Sequence, residues 1–275
     1  MSISASMVKE LRDHTGAGMM ECKKALVEAG GDMERAIEIL RKLGQAKADK
    51  KSGRIAADGC IILVTEGNRG VIAEINSETD FAAKDQNFIA FAKSVVATAL
   101  AGNAKKVEEL MVEFNVDGKM IEAARTELIN KIGENISIRR FAHVDAADQL
   151  GSYAHRGRIG SIVSLSGGDA ELARNIAMHV VASNPMCIDE SGMPVEVLAS
   201  ERRILTEQAA ESGKPPDIIQ KMISGRLSKF LKEKTLLGQP FIKDPDVSVG
   251  KLLEVAGAQV EQFVRYELGE GIKKK

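Results

Sequence analysis

The chain has 275 residues, 44 % of them apolar and 28 % charged, with 38 basic side chains against 39 acidic ones and a formal charge of −1. That length supplies either one large domain or two to three small ones with a real core, and the composition is ordinary for a soluble globular protein. The charge balance argues against a main task of holding a nucleic-acid backbone, which needs a basic surplus.

Residues 1–50 read as three short helices. Met7, Val8 and Leu11 form the inner face of the first, Ser4 or Ser6 caps it, and Thr15-Gly16-Ala17-Gly18 ends it. The second turns Met20, Ala25, Leu26 and Ala29 inward and stops at Gly30-Gly31. Asp32 caps the third, where Met33, Ile37 and Leu40 recur at helical spacing before Gly44 closes it. The charged, small-residue run from Lys47 to Gly59 then reads as a linker. Two strand-like runs, Cys60–Val64 and Val71–Ile75, flank a turn at Glu66–Gly70 and predict a hairpin. The segment "SETDFAAKD", Ser77 to Asp85, follows. Asp85 is placed to cap a helix that turns Phe88, Phe91, Ala92, Val95 and Val96 inward, and further helix runs to about Gly133.

The stretch "RIGSIVSLSGGDAELARNIAMHVVA" repeats the order of "RGVIAEINSETDFAAKDQNFIAFAKSVVA": a glycine, a strand, a polar corner and a helix ending Val-Val-Ala. Matching Gly70 to Gly160 and Val95 to Val180 gives offsets of 90 and 85, so the first copy carries five extra residues at its corner. The second corner, Ser166-Gly167-Gly168-Asp169, has no aromatic residue, whereas the first holds Phe81 among Glu78, Asp80, Lys84 and Asp85. An insertion in one copy of a unit that folds without it points to a task rather than to the scaffold.

From Pro194 to Glu233 the pattern is that of an αα-hairpin. Val197/Ile204 and Leu198/Leu205 pair at a spacing of seven, Gly213-Lys214-Pro215-Pro216 breaks the chain, and Ile219, Met222, Ile223, Leu227 and Phe230 resume it. A two-helix arm is expected to lay its stripe on another chain or on its own core. One more helix, a final strand and the tail Lys273–Lys275 complete the chain.

The chemistry of catalysis is missing. No GxxxxGK[ST], HExxH, GxSxG or SxxK pattern is present. "GAGMMECKK" opens a helix without a preceding strand, which does not suit a nucleotide cradle. The four histidines, His14, His143, His155 and His179, lack paired-ligand spacing; His179 reads as a hydrogen-bonded half-core residue and His155 as part of a turn beside Arg156 and Arg158. Cys22, Cys60 and Cys187 are far apart with no CxxC, giving neither a disulfide framework nor a zinc site and suiting a reducing cytosol. The start "MSISASMVKELRDHTG" lacks the layout of a signal peptide, and no apolar run approaches the roughly eighteen residues of a membrane span. A non-enzymatic role without cofactor or metal is expected.

"LRDHTGAGMMECKKAL" (Leu11 to Leu26) and "EINSETDFAAKD" (Glu74 to Asp85) resemble the two signatures of the elongation factor Ts family, guanine-nucleotide exchange factors of elongation factor Tu. "KIGENISIRR", "GSYAHRGRIG", "GQPFI" and "YELGEG" are similar to the same family, so the resemblance spans essentially the whole chain. It implies an α+β fold: a ubiquitin-associated-like helical module over residues 1–54, then two related α+β core subdomains over 55–140 and 141–275, the second carrying the hairpin at about 194–233. It implies that Asp80 and Phe81 enter between two helices of the GTPase domain of elongation factor Tu, disturbing the Mg²⁺ and phosphate environment so that GDP leaves. Thr79 and Lys84 at the same corner, Leu11, Arg12, Gly16, Met19 and Met20 in the module, and His155 complete the implied partner surface. A cytoplasmic protein follows, without membrane or direct nucleic-acid contact, and with the arm free to pair two copies, touch the partner or pack on its own core.

Two departures stand out. Ala82 occupies a position where the family motif commonly has Val, which trims an apolar contact beside the ring. Longer members also continue past this chain's Lys275 into a further helix, so any contact made there is expected to be absent. The alternative is an RNA- or ribosome-associated protein without exchange activity, using the module and the lysine tail. The module holds eleven Lys or Arg against eight Asp or Glu through Arg54 and has no aromatic for base stacking.

Overall fold

A computed structural model describes residues 3–273 except 114, 117 and 211–214. The chain forms two compact units. One contains the residues up to Val64, Val71–His143 and those from Tyr266 onward; the other contains Thr65–Gly70 and Val144–Arg265. The fold is α+β, as the resemblance implies.

The first unit opens with three helices, α1 (Ala5–Thr15), α2 (Met19–Glu28) and α3 (Met33–Ser52). Ser4 and Asp32 accept backbone N–H bonds that start α1 and α3, satisfying donors that have no partner inside a helix. Val8, Leu11, Cys22, Ala25, Leu26, Ala36 and Leu40 close the small core between them. Met20 and Ile37 were expected inside but face solvent, and Cys22 and Ala36 take the inner positions.

Helix α3 neither stops at Gly44 nor gives way to a linker at Lys47. It continues to Ser52, because the run from Gln45 to Lys51 consists mostly of strong helix formers and its inner face has a partner. Ala48 is buried in the main core of the unit, and Lys51 Nζ donates to the Ile129 carbonyl. Gly44 stays inside the helix at a propensity cost of about 1 kcal/mol, and a Cβ there would crowd only the tip of the Asn130 side chain, at 2.7 Å.

The main core of this unit lies on a sheet ordered β1 (Asp58–Glu66), β2 (Arg69–Ser77), β5 (Ile136–Asp145). A one-turn helix α4 (Asp80–Ala83) follows β2, and then come α5 (Gln86–Ala101), α6 (Val107–Glu113), a small pair of β3 (Asn115–Val116) and β4 (Lys119–Met120), and α7 (Ile121–Ile132), which ends on left-handed Gly133. Phe88, Phe91, Ala92, Val95 and Val96 of α5 are buried as expected, against Val71, Ala73, Ile75, Ile129 and Ile136.

Glu74 in β2 is fully buried. Arg139 (2.9 Å), the Gly269 N–H (2.8 Å) and Asn76 (3.2 Å) donate to its Oε1, and Arg140 Nε donates to Oε2 at 2.6 Å. Arg140 also stacks 4.2 Å from the Tyr266 ring and pairs with Glu270. Burial by itself would raise the pKa of Glu74, but the Gly269 N–H, both arginines and Asn76 outweigh it and hold the carboxyl below its ordinary value.

The second unit has a sheet ordered β10 (Gln259–Glu267), β7 (Ile159–Ser166), β6 (Gln149–His155), with α8 (Ala170–Ser183) packed on it. Strands β6 and β7 are antiparallel, with Gly151 opposite Val163 and His155 opposite Ile159. His179 on α8 is fully buried rather than half-exposed. Its Nδ1 accepts from the Ile242 N–H at 3.2 Å, and its Nε2 lies 2.9 Å from Gln239 Oε1. Because Gln239 uses its amide nitrogen on the Ser183 and Glu233 carbonyls, Nε2 carries the proton and the ring is neutral. Burial lowers its pKa accordingly.

Helices α9 (Val195–Ala210) and α10 (Pro216–Lys234) pack on each other through Leu205, Ala209 and Ile223, flanked by Ile219 and Leu227. Part of the stripe, Leu205, Ile219, Ile223 and Leu227, is thus spent within the arm, while Ile204, expected inside, is exposed. Of the expected Gly213–Pro216 break, Gly213 and Lys214 lie outside the described residues, as do Lys274 and Lys275 of the tail. The strands β8 (Pro240–Phe241) and β9 (Asp244–Ser248) and helix α11 (Val249–Val255) lead to β10.

Replacing Glu74 by Gln removes the charge that both arginines neutralise. We expect it to cost about 3 kcal/mol and to lower the thermal midpoint by about 6–12 °C. A carboxyl held below its ordinary pKa adds stability that is complete above the unfolded value and lost as pH falls through the folded one. The gap between wild type and E74Q, followed by calorimetry, should therefore be full at pH 7 and narrow with acidification below about pH 4.3.

Candidate protein-interaction site

The two strand-to-helix corners differ as the repeat predicts. Eight residues (78–85) separate β2 from α5, against three (167–169) between β7 and α8, a difference of five. At the second corner Gly167 and Gly168 turn the chain with positive φ, and Asp169 caps α8 directly. At the first the additional residues build α4.

Thr79 is the N-cap of α4, its hydroxyl accepting from the Ala82 N–H at 3.3 Å. Asp80 is the first helical residue, not the cap. Lys84 closes the turn with an N–H bond to the Phe81 carbonyl, and Asp85 then caps α5 by accepting from the Asn87 and Phe88 N–H groups. One turn of helix has two sides. Ala82 is buried, whereas Phe81 is 80 % exposed, more than any other large apolar side chain among the described residues. The Ala82 departure consequently acts on packing inside the protein and not on the surface that Phe81 presents. Lys84 Nζ bonds Asp80 Oδ2 at 2.7 Å and stands 5.8 Å from the Phe81 ring. That ammonium group holds the Asp80 carboxyl below its ordinary range, so Asp80 is ionised at neutral pH.

The corner is braced from outside its own sequence. Glu134 bonds Thr79 twice, accepting the backbone N–H at 2.9 Å and the hydroxyl at 2.7 Å. In return, Glu78 accepts the Asn135 N–H at 2.6 Å and pairs with Arg54 at 3.4 Å. The Asn135 side chain donates to the Ser52 and Arg54 carbonyls at the end of α3. Glu134 and Asn135 were not singled out from the sequence, and Glu78 was noted only as a charge beside Phe81. Local spacing carries no trace of a contact spanning 55 residues, although "KIGENISIRR" holds two of the three.

Of the remaining expected residues, Arg12, Gly16, Met19 and Met20 form an exposed group around the α1–α2 turn, with Met19 45 % and Met20 65 % exposed. Gly16 is left-handed at φ +66° and closes α1 through an N–H bond to the Arg12 carbonyl. Leu11 is a correction: it is wholly buried in the helical core, because it lies three residues after Val8 on the inner face of α1. His155 lies in the second unit, exposed at the start of the β6–β7 turn, where Arg156 and Gly157 both have positive φ; its Nδ1 is 3.5 Å from the Tyr153 hydroxyl. Among the described residues, no three His, Cys, Asp or Glu side chains converge on a metal position, and no helix is long and apolar enough to cross a membrane.

Fold and corner together define an α+β protein that holds an aromatic group out into solvent on a braced helical turn. A family model described as elongation factor TS matches residues 78–270, from the corner to the far end of the Glu74 network. Elongation factor Ts of Thioalkalivibrio sulfidiphilus is 58 % identical over 279 residues, covering all of this chain and 95 % of the relative. Those of Methylococcus capsulatus and Alkalilimnicola ehrlichii are each 55 % identical over 278 residues with the same coverage. The chain belongs to the elongation factor Ts family of translation elongation factors.

Because the ring is already in water, Phe81→Ala should leave unfolding free energy within about 0.5 kcal/mol of wild type in urea titrations. Thr79→Val, which removes the cap and one Glu134 bond, should cost about 1 kcal/mol locally. Amide exchange at Ala82 and Ala83 should then quicken about fivefold, with little change in the core of α5.

Proposed function

We propose that this protein binds elongation factor Tu in its GDP form and promotes GDP release, with Asp80 and Phe81 entering the GTPase domain and disturbing its Mg²⁺ and phosphate site. The observation that supports this reading is the 80 % exposure of Phe81 on a turn whose backbone is tied down on its inner side. A ring held in water is energetically available to a partner, since burying it yields roughly 1.5–3 kcal/mol. As each 1.4 kcal/mol is tenfold in affinity, Phe81 alone would account for about ten- to a hundredfold weakening of GDP, the rest coming from a broad interface. Arg12, Gly16, Met19, Met20, Lys84 and His155 are exposed and suited to that interface. Linkage makes the effect mutual: GDP weakens the complex by the factor by which the complex weakens GDP. Exchange on these terms needs no bond chemistry from this chain, because free nucleotide refills the emptied site.

Release of fluorescent GDP from elongation factor Tu tests the reading. Wild-type protein should accelerate release many-fold, and Phe81→Ala should lose about ten- to a hundredfold of that effect. Equal acceleration by both would remove Phe81 from the mechanism. No acceleration by either would leave the RNA- or ribosome-binding alternative, for which steeply salt-dependent RNA binding would be the sign.

A further inference from the structure

An exposed side chain has no packing of its own to aim it, and its direction is inherited from the backbone beneath. At the Phe81 corner that backbone is oriented by a residue from the turn after α7. Glu134 engages both its oxygens with Thr79, one with the N–H and one with the hydroxyl. The same hydroxyl receives the Ala82 N–H, so Glu134 also orients the group that starts α4. Beside it, Glu78 reaches in the opposite sense to the Asn135 N–H. Residues 78–79 and 134–135 are thereby cross-tied by two carboxylates. The corner without an aromatic group has a lighter arrangement, a bond from the Gly167 N–H to Asp148.

Two bonds from one carboxylate to one residue define that residue's orientation about two axes, and charge-assisted bonds are the stronger kind. The Phe81 ring extends from a point two residues further on, so a small rotation at Thr79 becomes a larger displacement at the ring. Glu134 is only partly buried, so water can replace its bonds when it is removed. Its loss should therefore blur the corner's direction more than it destabilises the fold.

We propose that Glu134 is a positioning residue for nucleotide exchange, acting through Thr79 on the direction in which Asp80 and Phe81 point. This rests on the exchange reading of the corner. Its role is separate from that of Lys84, whose exposed side chain pairs with Asp80 directly.

The test is the rate of fluorescent GDP release from elongation factor Tu, measured against the concentration of this protein for wild type, E134A, E134Q, F81A and the E134A/F81A double variant. E134A should lower the maximal rate about tenfold while the half-saturating concentration changes less than about twofold, because the rest of the interface is intact. E134Q, which keeps one acceptor oxygen for the Thr79 N–H, should recover a substantial part of the rate. In the F81A background E134A should add almost nothing, since a residue that only aims the ring has nothing left to aim. Equal losses in both backgrounds, or a loss confined to the half-saturating concentration, would overturn the proposal by making Glu134 a general structural or contact residue. If E134A fails to fold by circular dichroism, E134Q in the two backgrounds decides by the same comparison. Wild-type rates from F81A would remove Phe81 from the mechanism and defeat this inference with it, whereas a slow F81A beside an unimpaired E134A would defeat this inference alone.

Discussion

A carboxylate removed from water must be neutralised and fully hydrogen-bonded or it unfolds what surrounds it. Glu74 meets that requirement only by gathering distant parts of the first unit: its own strand β2, the two arginines of β5, and the backbone at Gly269. Each partner is then used again, Arg140 on the Tyr266 ring and on Glu270. The interaction holds register as well as stability, since a slip of β2 along β5 would carry Glu74 away from the groups that neutralise it and leave its charge unpaired. Three residues beyond Glu74, β2 ends and the corner begins, so the position of the exposed ring is set on a strand that cannot slide.

From that strand outward the structure keeps a large apolar group in water. Phe81 forgoes the stabilisation that burial in its own core would give, and the two sides of α4 show how this is arranged. Ala82 takes the inner position, small enough to let the turn lie flat, and the Thr79–Glu134 and Glu78–Asn135 bonds hold the backbone. The bracing also reaches α3 through Asn135 and Arg54, so the helical module and the corner share a mechanical base within one unit. A rigid presentation lowers the entropy that association must otherwise remove.

The second repeat supplies the internal control. It makes the same passage from strand to helix with two left-handed glycines and an aspartate cap, and needs neither the extra turn nor the aromatic residue. What the first repeat adds is therefore dispensable to folding of such a unit.

The sequence by itself determined the elements whose causes are local. Caps at Asp32 and Asp85, the glycine stop at Gly16, the β1–β2 hairpin, the inner face of α5 and the five-residue insertion all follow from spacing and from the chemistry of single residues. The exposure of Phe81 was legible only indirectly, as an aromatic residue in an insertion that one repeat lacks. Tertiary structure decided what depends on a distant partner. Helix α3 continues past Gly44 because Ala48 finds a core and Lys51 a carbonyl partner. Met20 and Ile37 turned outward because the rotation of each helix is settled by the neighbours it meets, whereas Leu11 keeps the inner place its spacing predicts and not the contact role the resemblance implied. Nothing in the local sequence gives Glu74 or Glu134 a role. Their roles come from groups 55 to 195 residues away, and bonds of that span are set by how the chain closes on itself rather than by any local pattern.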